Sequence, residues 1–192
     1  MFKLHTVIVS TRQGRRGPPV AEWFHEMAKA HGKFDATLID LASFNLPVLD
    51  EPHHPMRRQY TQEHTKKWSA SVNAADAFVF VTPEYNYSPP PSLTNALDFL
   101  YWEWQYKPVG LVSYGGVSGG VRAAQAVKLT LTALKMMPIP EGVAIPNFEQ
   151  QLQDGKFAAN DLNRQGATAV LNELLRWTEA LASLREGIRK PQ

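Results

Sequence analysis

The chain has 192 residues, 44% of them hydrophobic and 20% charged, with a net charge of +2. These values suit one globular domain, which at this length buries about 70% of the surface its unfolded chain exposes and needs neither disulfide nor structural metal. The absence of cysteine excludes a disulfide framework and every thiolate metal site; the charge is too mild to indicate nucleic acid, and no run approaches the ~20 apolar residues of a membrane span.

In chain order, short apolar runs alternate with helical periods. Residues 4–9 are rich in β-branched side chains and lack polar alternation, as in a strand covered on both faces. The chain ahead of Ser10 has no signal-peptide core or cleavage site, which fits a soluble cytoplasmic protein. Val20, Trp23, Phe24, Met27, Ala28 and His31 recur at helical spacing, and Gly32 supplies a stop. Further strands are predicted at 34–40, 77–81, 109–113 and, interrupted by Pro140 and Gly142, within 139–145. Further helices are predicted near 62–74, over 92–103, over 120–137 and around 170–181. Such alternation gives a parallel sheet with helices on both faces, a three-layer α/β sandwich. Five strands suit the flavodoxin-like order 2-1-3-4-5. A single domain over 1–186 is expected; the tail after Leu184 is polar, and 187–192 are expected to fray. Residues 41–60, with Pro47, Pro52 and Pro55, form a long loop of the kind that is usually functional or disordered.

In an open parallel sheet, ligands bind beyond the carboxyl ends of the strands, near the reversal of strand order. Strands one, three and four each end in an unusual loop. The first reads Ser10, Thr11, Arg12, Gln13, Gly14, Arg15, Arg16, Gly17, and is followed by two prolines that suit the first turn of a helix. Free amides and the helix dipole there favour an anion. The arginines add charge-assisted hydrogen bonds, and no acid lies between Ser10 and Gly17. A phosphate is the natural guest; a solvated basic loop is the other reading, and this loop alone leaves both open. It is neither a Walker A loop, whose pattern occurs nowhere in the chain, nor a Gly-x-Gly-x-x-Gly dinucleotide loop, which argues against an NTPase and a Rossmann dehydrogenase.

Thr82, Pro83, Glu84, Tyr85, Asn86, Tyr87 and Ser88 follow strand three, then three prolines. This stretch is rigid, aromatic and rich in donors, a surface that can receive a flat heteroaromatic ring edge-on; a proline-rich helix cap is the plainer alternative. Ser113, Tyr114, Gly115, Gly116, Val117, Ser118, Gly119 and Gly120 follow strand four. Their glycines let backbone approach a ligand closely; a flexible connector is the alternative. Three such loops at three strand tips favour a shared ligand over chance.

With these motifs the chain resembles the NAD(P)H-dependent FMN reductase family, which includes quinone, azo-dye and chromate reductases. The matching pieces are Ser10, Thr11 and Arg12 with Gly14, Arg15, Gly17 and Pro18; the Thr82 to Ser88 motif; the glycine-rich loop; and Leu93, Asn95, Ala96, Leu97 and Asp98. The resemblance implies a flavodoxin-like FMN protein. Ser10, Arg12, Arg15 and Gly17 would surround the phosphate. Pro83, Glu84, Tyr85 and Asn86 would line the isoalloxazine, and Ser113, Tyr114, Gly115 and Gly116 would contact its pyrimidine side. Val9 stands where the family commonly has glycine, and a side chain there is expected to narrow the loop. Hydride would pass from NADPH or NADH to FMN and on to a flavin, quinone or similar small acceptor, with no side-chain nucleophile or acid. Arg15, Arg16 and Arg57 are candidates for a nicotinamide 2′-phosphate. The alternative is a non-catalytic flavodoxin-like electron carrier or flavin-dependent regulator.

No metal is expected: His53, His54 and His64 lack a recognised ligand spacing and read as surface residues. Arg57, Arg58, Lys66 and Lys67 read as solvated charge rather than a nucleic-acid patch. A homodimer or homotetramer is expected, its interface on the 92–103 helix, because Phe99 and Trp102 fall off the stripe of Leu93, Ala96, Leu97, Leu100 and Trp104.

Overall fold

A computed structural model describes residues 1–189. Its sheet has five parallel strands: β1 (Phe2–Ile8), β2 (Phe34–Asp40), β3 (Ala77–Pro83), β4 (Pro108–Tyr114) and β5 (Met137–Ile145), in the order β2-β1-β3-β4-β5. The expected strand order is the observed one. The strands lack polar alternation because both faces are covered: every residue of β3 and β4 is buried.

The pleat divides each strand between two cores. Val79 and Val81 face a core that includes Val20, Phe24 and Ala28 of α1 (Pro18–His31) and Val170, Leu171 and Leu174 of α5 (Asp161–Ala180). Phe78 and Phe80 face the opposite core, with Trp68 and Val72 of α2 (Glu63–Ala74), Leu93, Ala96 and Leu97 of α3 (Pro91–Asp98) and Val127 and Leu131 of α4 (Val121–Ala133). Val9 belongs to this second core and is fully buried, so its side chain packs away from the β1 loop instead of narrowing it. Pro138 and Pro140 are tolerated in β5 because it is an edge strand, and the β4–β5 register shifts between Val109 and Leu111.

The predicted 92–103 helix is shorter in the structure. α3 stops at Asp98, and a separate 3-10 turn covers Trp102–Trp104. Indole donors reach the buried helix end: Trp68 Nε1 donates to the Ala96 carbonyl at 2.9 Å and Trp104 Nε1 to the Leu97 carbonyl at 3.1 Å. Phe99 is fully buried and packs edge-on against His64 of α2. Trp102 donates to the Met56 carbonyl at 2.8 Å and lies beneath the Arg58 guanidinium. Phe99 is thus core against α2 and leaves no exposed ring for a partner, while Trp102 holds the long loop of its own chain.

That long loop is stapled rather than loose. Asn95 clamps it twice, donating to the Pro47 carbonyl at 2.7 Å and accepting from the Leu49 amide at 2.9 Å. Glu51 accepts from the amides of Thr61 and Gln62 at the entry to α2. After β5, a short hairpin pairs β6 (Leu152–Gln153) with β7 (Lys156–Phe157) around Asp154 and Gly155, both at positive φ. The tail also departs from expectation: α6 (Ala182–Arg189) continues the chain as helix, and buried Arg185 donates to the carbonyls of Thr178 and Tyr106. Residues 190–192, the rest of the stretch expected to fray, lie outside the described residues.

Candidate functional site

The carboxyl ends of β1, β3, β4 and β5 converge on a cavity of about 380 Å³, within the range of small-molecule pockets. Of the residues singled out in the sequence, Ser10, Arg12, Arg15, Pro83, Glu84, Tyr85, Tyr114, Gly115 and Gly116 line it. Gly17, Asn86 and Ser113 do not, and each has a structural reason.

Gly17 sits beneath the β1 loop, where a Cβ would lie 1.9 Å from the Tyr114 hydroxyl oxygen. Glycine is therefore required for Tyr114 to reach the loop. The Tyr114 ring packs 4.8 Å from Phe148, and burial pushes its phenol pKa up, against a smaller opposing pull from Arg15 and Arg12. The hydroxyl stays protonated at neutral pH and remains a donor. Its place beside Gly17 puts it at the β1 loop, on the wall of the cavity. Ser113, its neighbour on the pleat, is buried and donates to the Gly119 carbonyl at 2.8 Å, so its side chain braces the glycine loop from below. Asn86 and Tyr87 are the two central residues of a tight turn, at φ 51° and 69°, closed by paired backbone bonds between Tyr85 and Ser88. Asn86 thus shapes the β3 tip instead of lining the cavity.

The β1 loop has the features of an anion cradle. From Ser10 to Gly17, the amide of Arg15 is bonded to the Arg12 carbonyl, and no other amide of the loop has a protein partner among the described residues. The α1 N-terminus behind it has no side-chain cap and no acid in its first turn. Such an end carries about half a positive charge and suits phosphate. Arg12 is exposed and makes no ion pair among the described residues. Arg15 differs: it forms a bidentate pair with Asp40 at the end of β2 and donates to the Ser10 carbonyl at 2.6 Å. It is a brace for the loop, largely neutralised. Ser10 Oγ is 2.8 Å from the Tyr85 hydroxyl, joining the tips of β1 and β3. These open amides, the free arginine and the glycine-lined wall fit a phosphate attached to a flat ring.

The fourth wall was missed in the sequence. Asn147, Phe148, Glu149 and Gln150, after β5, line the cavity, and the amides of Asn147 and Phe148 donate to the carbonyls of Gly116 and Gly115. Arg16 lies at the rim, 4.0 Å from Glu149. The signal was available, because β5 is another strand tip at the same edge, but the segment has no glycine cluster or arginine run. Arg57 lies in a 3-10 turn of the long loop and does not line the cavity. His64 Nε2 donates to the Asp50 carboxylate at 2.9 Å.

A flavodoxin-like sheet with a phosphate-type cradle and a ring-sized cavity at its switch edge defines a flavin-protein architecture. A profile described as NADPH-dependent FMN reductase matches residues 2–150. An NAD(P)H-dependent FMN reductase of Schizosaccharomyces pombe is 45% identical over 72% of this chain and 70% of its own length. An NAD(P)H-dependent FMN reductase of Nectria sp is 37% identical over the full length of both chains. Among solved structures, the flavoenzyme NAD(P)H:(acceptor) oxidoreductase FerB from Paracoccus denitrificans superposes with a TM-score of 0.74, covering 94% of this chain and 98% of its own at 20% identity, which shows the shared fold. The chain belongs to the NADPH-dependent FMN reductase family.

Proposed function

We propose that the chain is an FMN-dependent NAD(P)H oxidoreductase that holds the phosphate on the β1 loop and the ring between the β3 and β4 loops. The carrying observation is the β1 loop: amides and an Arg12 without partners among the described residues, and an uncapped α1 N-terminus, beside one cavity. Bound FMN supplies hydride transfer from NADPH or NADH to a flavin, quinone or similar small acceptor. The protein's part is binding and placement. Arg12 and the loop amides take the phosphate charge, while Arg15 and Asp40 hold the loop in shape. Pro83 and Tyr85 wall the ring. Gly115 and Gly116 bring backbone to it, and a Cβ at Gly116 would meet nothing within 4 Å, which leaves that side open to a ligand. Arg16, which lines the rim, is our candidate for the 2′-phosphate of NADPH.

The protein as purified, or after incubation with FMN, is expected to release FMN on denaturation, and anaerobic NADPH or NADH is expected to bleach the flavin band. Reduction by dithionite but by neither nucleotide would favour the electron-carrier reading. We also propose one FMN-binding domain spanning the described chain, a cytoplasmic location, and a closed homodimer or homotetramer. Exposed Val48, Leu49, Tyr87 and Val117, all on loops at the carboxyl edge, support an assembly formed near the cavity. No helix among the described residues is long and apolar enough to cross a membrane.

A further inference from the structure

The β4 loop that walls the cavity is turned by its own backbone bonds, Gly119 amide to Gly116 carbonyl at 3.0 Å and Val121 amide to Ser118 carbonyl at 3.2 Å, but its junction with α4 lacks a cap of its own. It runs through Gly115, Gly116, Gly119 and Gly120, and the N-cap of α4, Gly120 at φ 78°, offers no side-chain cap. Its first-turn amides need an acceptor. The acceptor comes from the next strand tip: Glu84 takes the Arg122 amide at 3.2 Å, Arg122 Nε at 2.6 Å and Ser118 Oγ at 3.3 Å. The Glu84 side chain is only 8% exposed, although it belongs to a loop at the cavity. Its carboxylate is therefore spent on α4 and the glycine loop.

A second observation lies on the other side of the same arginine. Tyr87 holds a left-handed backbone, φ 69°, which costs energy for an aromatic residue and persists only where neighbours enforce it. The paired Tyr85–Ser88 backbone bonds enforce it, and the Arg122 guanidinium lies over the turn, 3.9 Å from the Tyr87 ring centroid. Arg122 also donates to Ser118 Oγ at 2.9 Å. One guanidinium thus joins the strained β3 turn, the Glu84 carboxylate and the β4 loop.

We infer that Glu84, Arg122 and Tyr87 form a bracket that sets the spacing of the β3 and β4 loops, with Glu84 as a positioning residue for the flavin ring rather than a ring contact or a proton donor. The inference rests on the FMN reading of the cavity and deepens it. It separates two jobs within one site: the β1 loop holds the phosphate, and the bracket keeps the ring slot at width. Because the bracket touches no part of the β1 loop, its loss should weaken every flavin alike, whether or not it carries a phosphate.

The test is a pair of titrations, FMN and riboflavin, with wild type, Glu84→Ala, Glu84→Gln and Arg12→Ala, together with amide exchange of the apo-proteins. Losing charge-assisted bonds, Glu84→Ala should bind both flavins about ten- to a hundred-fold more weakly, and by the same factor. Glu84→Gln, which keeps an acceptor oxygen, should fall between it and wild type. At saturating FMN, the visible circular dichroism of the bound flavin should change in Glu84→Ala and not in Arg12→Ala. Amides 118–122 should exchange faster in apo Glu84→Ala. Arg122→Ala, cut at a half-exposed side chain, repeats the test if Glu84→Ala does not fold. Unchanged affinity for both flavins, or a loss confined to FMN, overturns the bracket whatever the exchange rates do. A wild type that binds neither flavin overturns the FMN reading instead, and the exchange of the apo-proteins then decides the bracket.

Discussion

At the scale of single residues, three arginines that look alike in the sequence are separated by their partners. Arg15 is matched by Asp40, Arg16 stands at the rim opposite Glu149, and Arg12 is left for a ligand. Arg12→Ala is accordingly expected to weaken FMN by roughly 1.5–3 kcal/mol, the worth of a charged hydrogen bond, and to spare riboflavin; fluorescence titration of both measures it. Arg15→Ala is expected to loosen the loop and affect both flavins, since the arginine also holds the Ser10 carbonyl. Gly17→Ala drives a Cβ into the Tyr114 phenol, 1.9 Å away. Either the phenol or the loop must yield, so melting temperature and FMN affinity should fall together. The residue types at the cradle were legible because basic and hydroxyl side chains ahead of a proline-led helix carry their chemistry openly. Which arginine was free was not, because Asp40 lies on another strand.

At the scale of elements, helix starts show how distant carboxylates settle local needs. The N-cap of α2, Gln62, makes no cap bond, and Glu51 accepts from the Thr61 and Gln62 amides instead. Burial alone would push the Glu51 pKa up, but these bonds outweigh it and hold the group down at about 2. A carboxyl whose folded pKa is depressed stabilises the fold fully above its unfolded value and loses that contribution as pH falls toward the folded one. The long loop should therefore loosen between about pH 5 and pH 2, and Glu51→Gln should flatten the pH dependence of chemical denaturation in that window. α1 is left without such a carboxylate, which is what makes its end available to an anion. The predicted 92–103 helix was wrong in extent because Trp68 of α2, and Trp104 folding back from the following 3-10 turn, satisfy its terminal carbonyls and let the chain turn. Phe99→Ala is expected to cost about 3–5 kcal/mol, as for a fully buried aromatic, and to leave the oligomeric mass unchanged when followed by light scattering.

At the scale of the whole molecule, the parallel sheet gathers loops that are far apart in the chain. The amides of the post-β5 segment are zipped to Gly115 and Gly116, so four strand tips enclose one cavity. Exposed apolar side chains surround the same edge, and an assembly there is expected to give a dimeric or tetrameric mass by light scattering at micromolar concentration. Val117→Glu, at a residue 89% exposed, should shift that mass toward the monomer without lowering melting temperature if Val117 sits in the interface.

The sequence by itself determined the five strands, their parallel order and three of the four ligand loops. Those features arise from local periodicity, from the right-handed crossover of βαβ units and from glycine, proline and arginine placed at strand ends. Tertiary structure alone decided that Val9 and Phe99 are core, that Ser113 turns away from the cavity while Tyr114 reaches the β1 loop, and that Glu84 serves the helix amide of Arg122, 38 residues further on. The physical reason is common to all of them. A side chain's partner is fixed by the pleat, by burial and by which donors are left unsatisfied after packing, and none of these is a property of its neighbours in sequence.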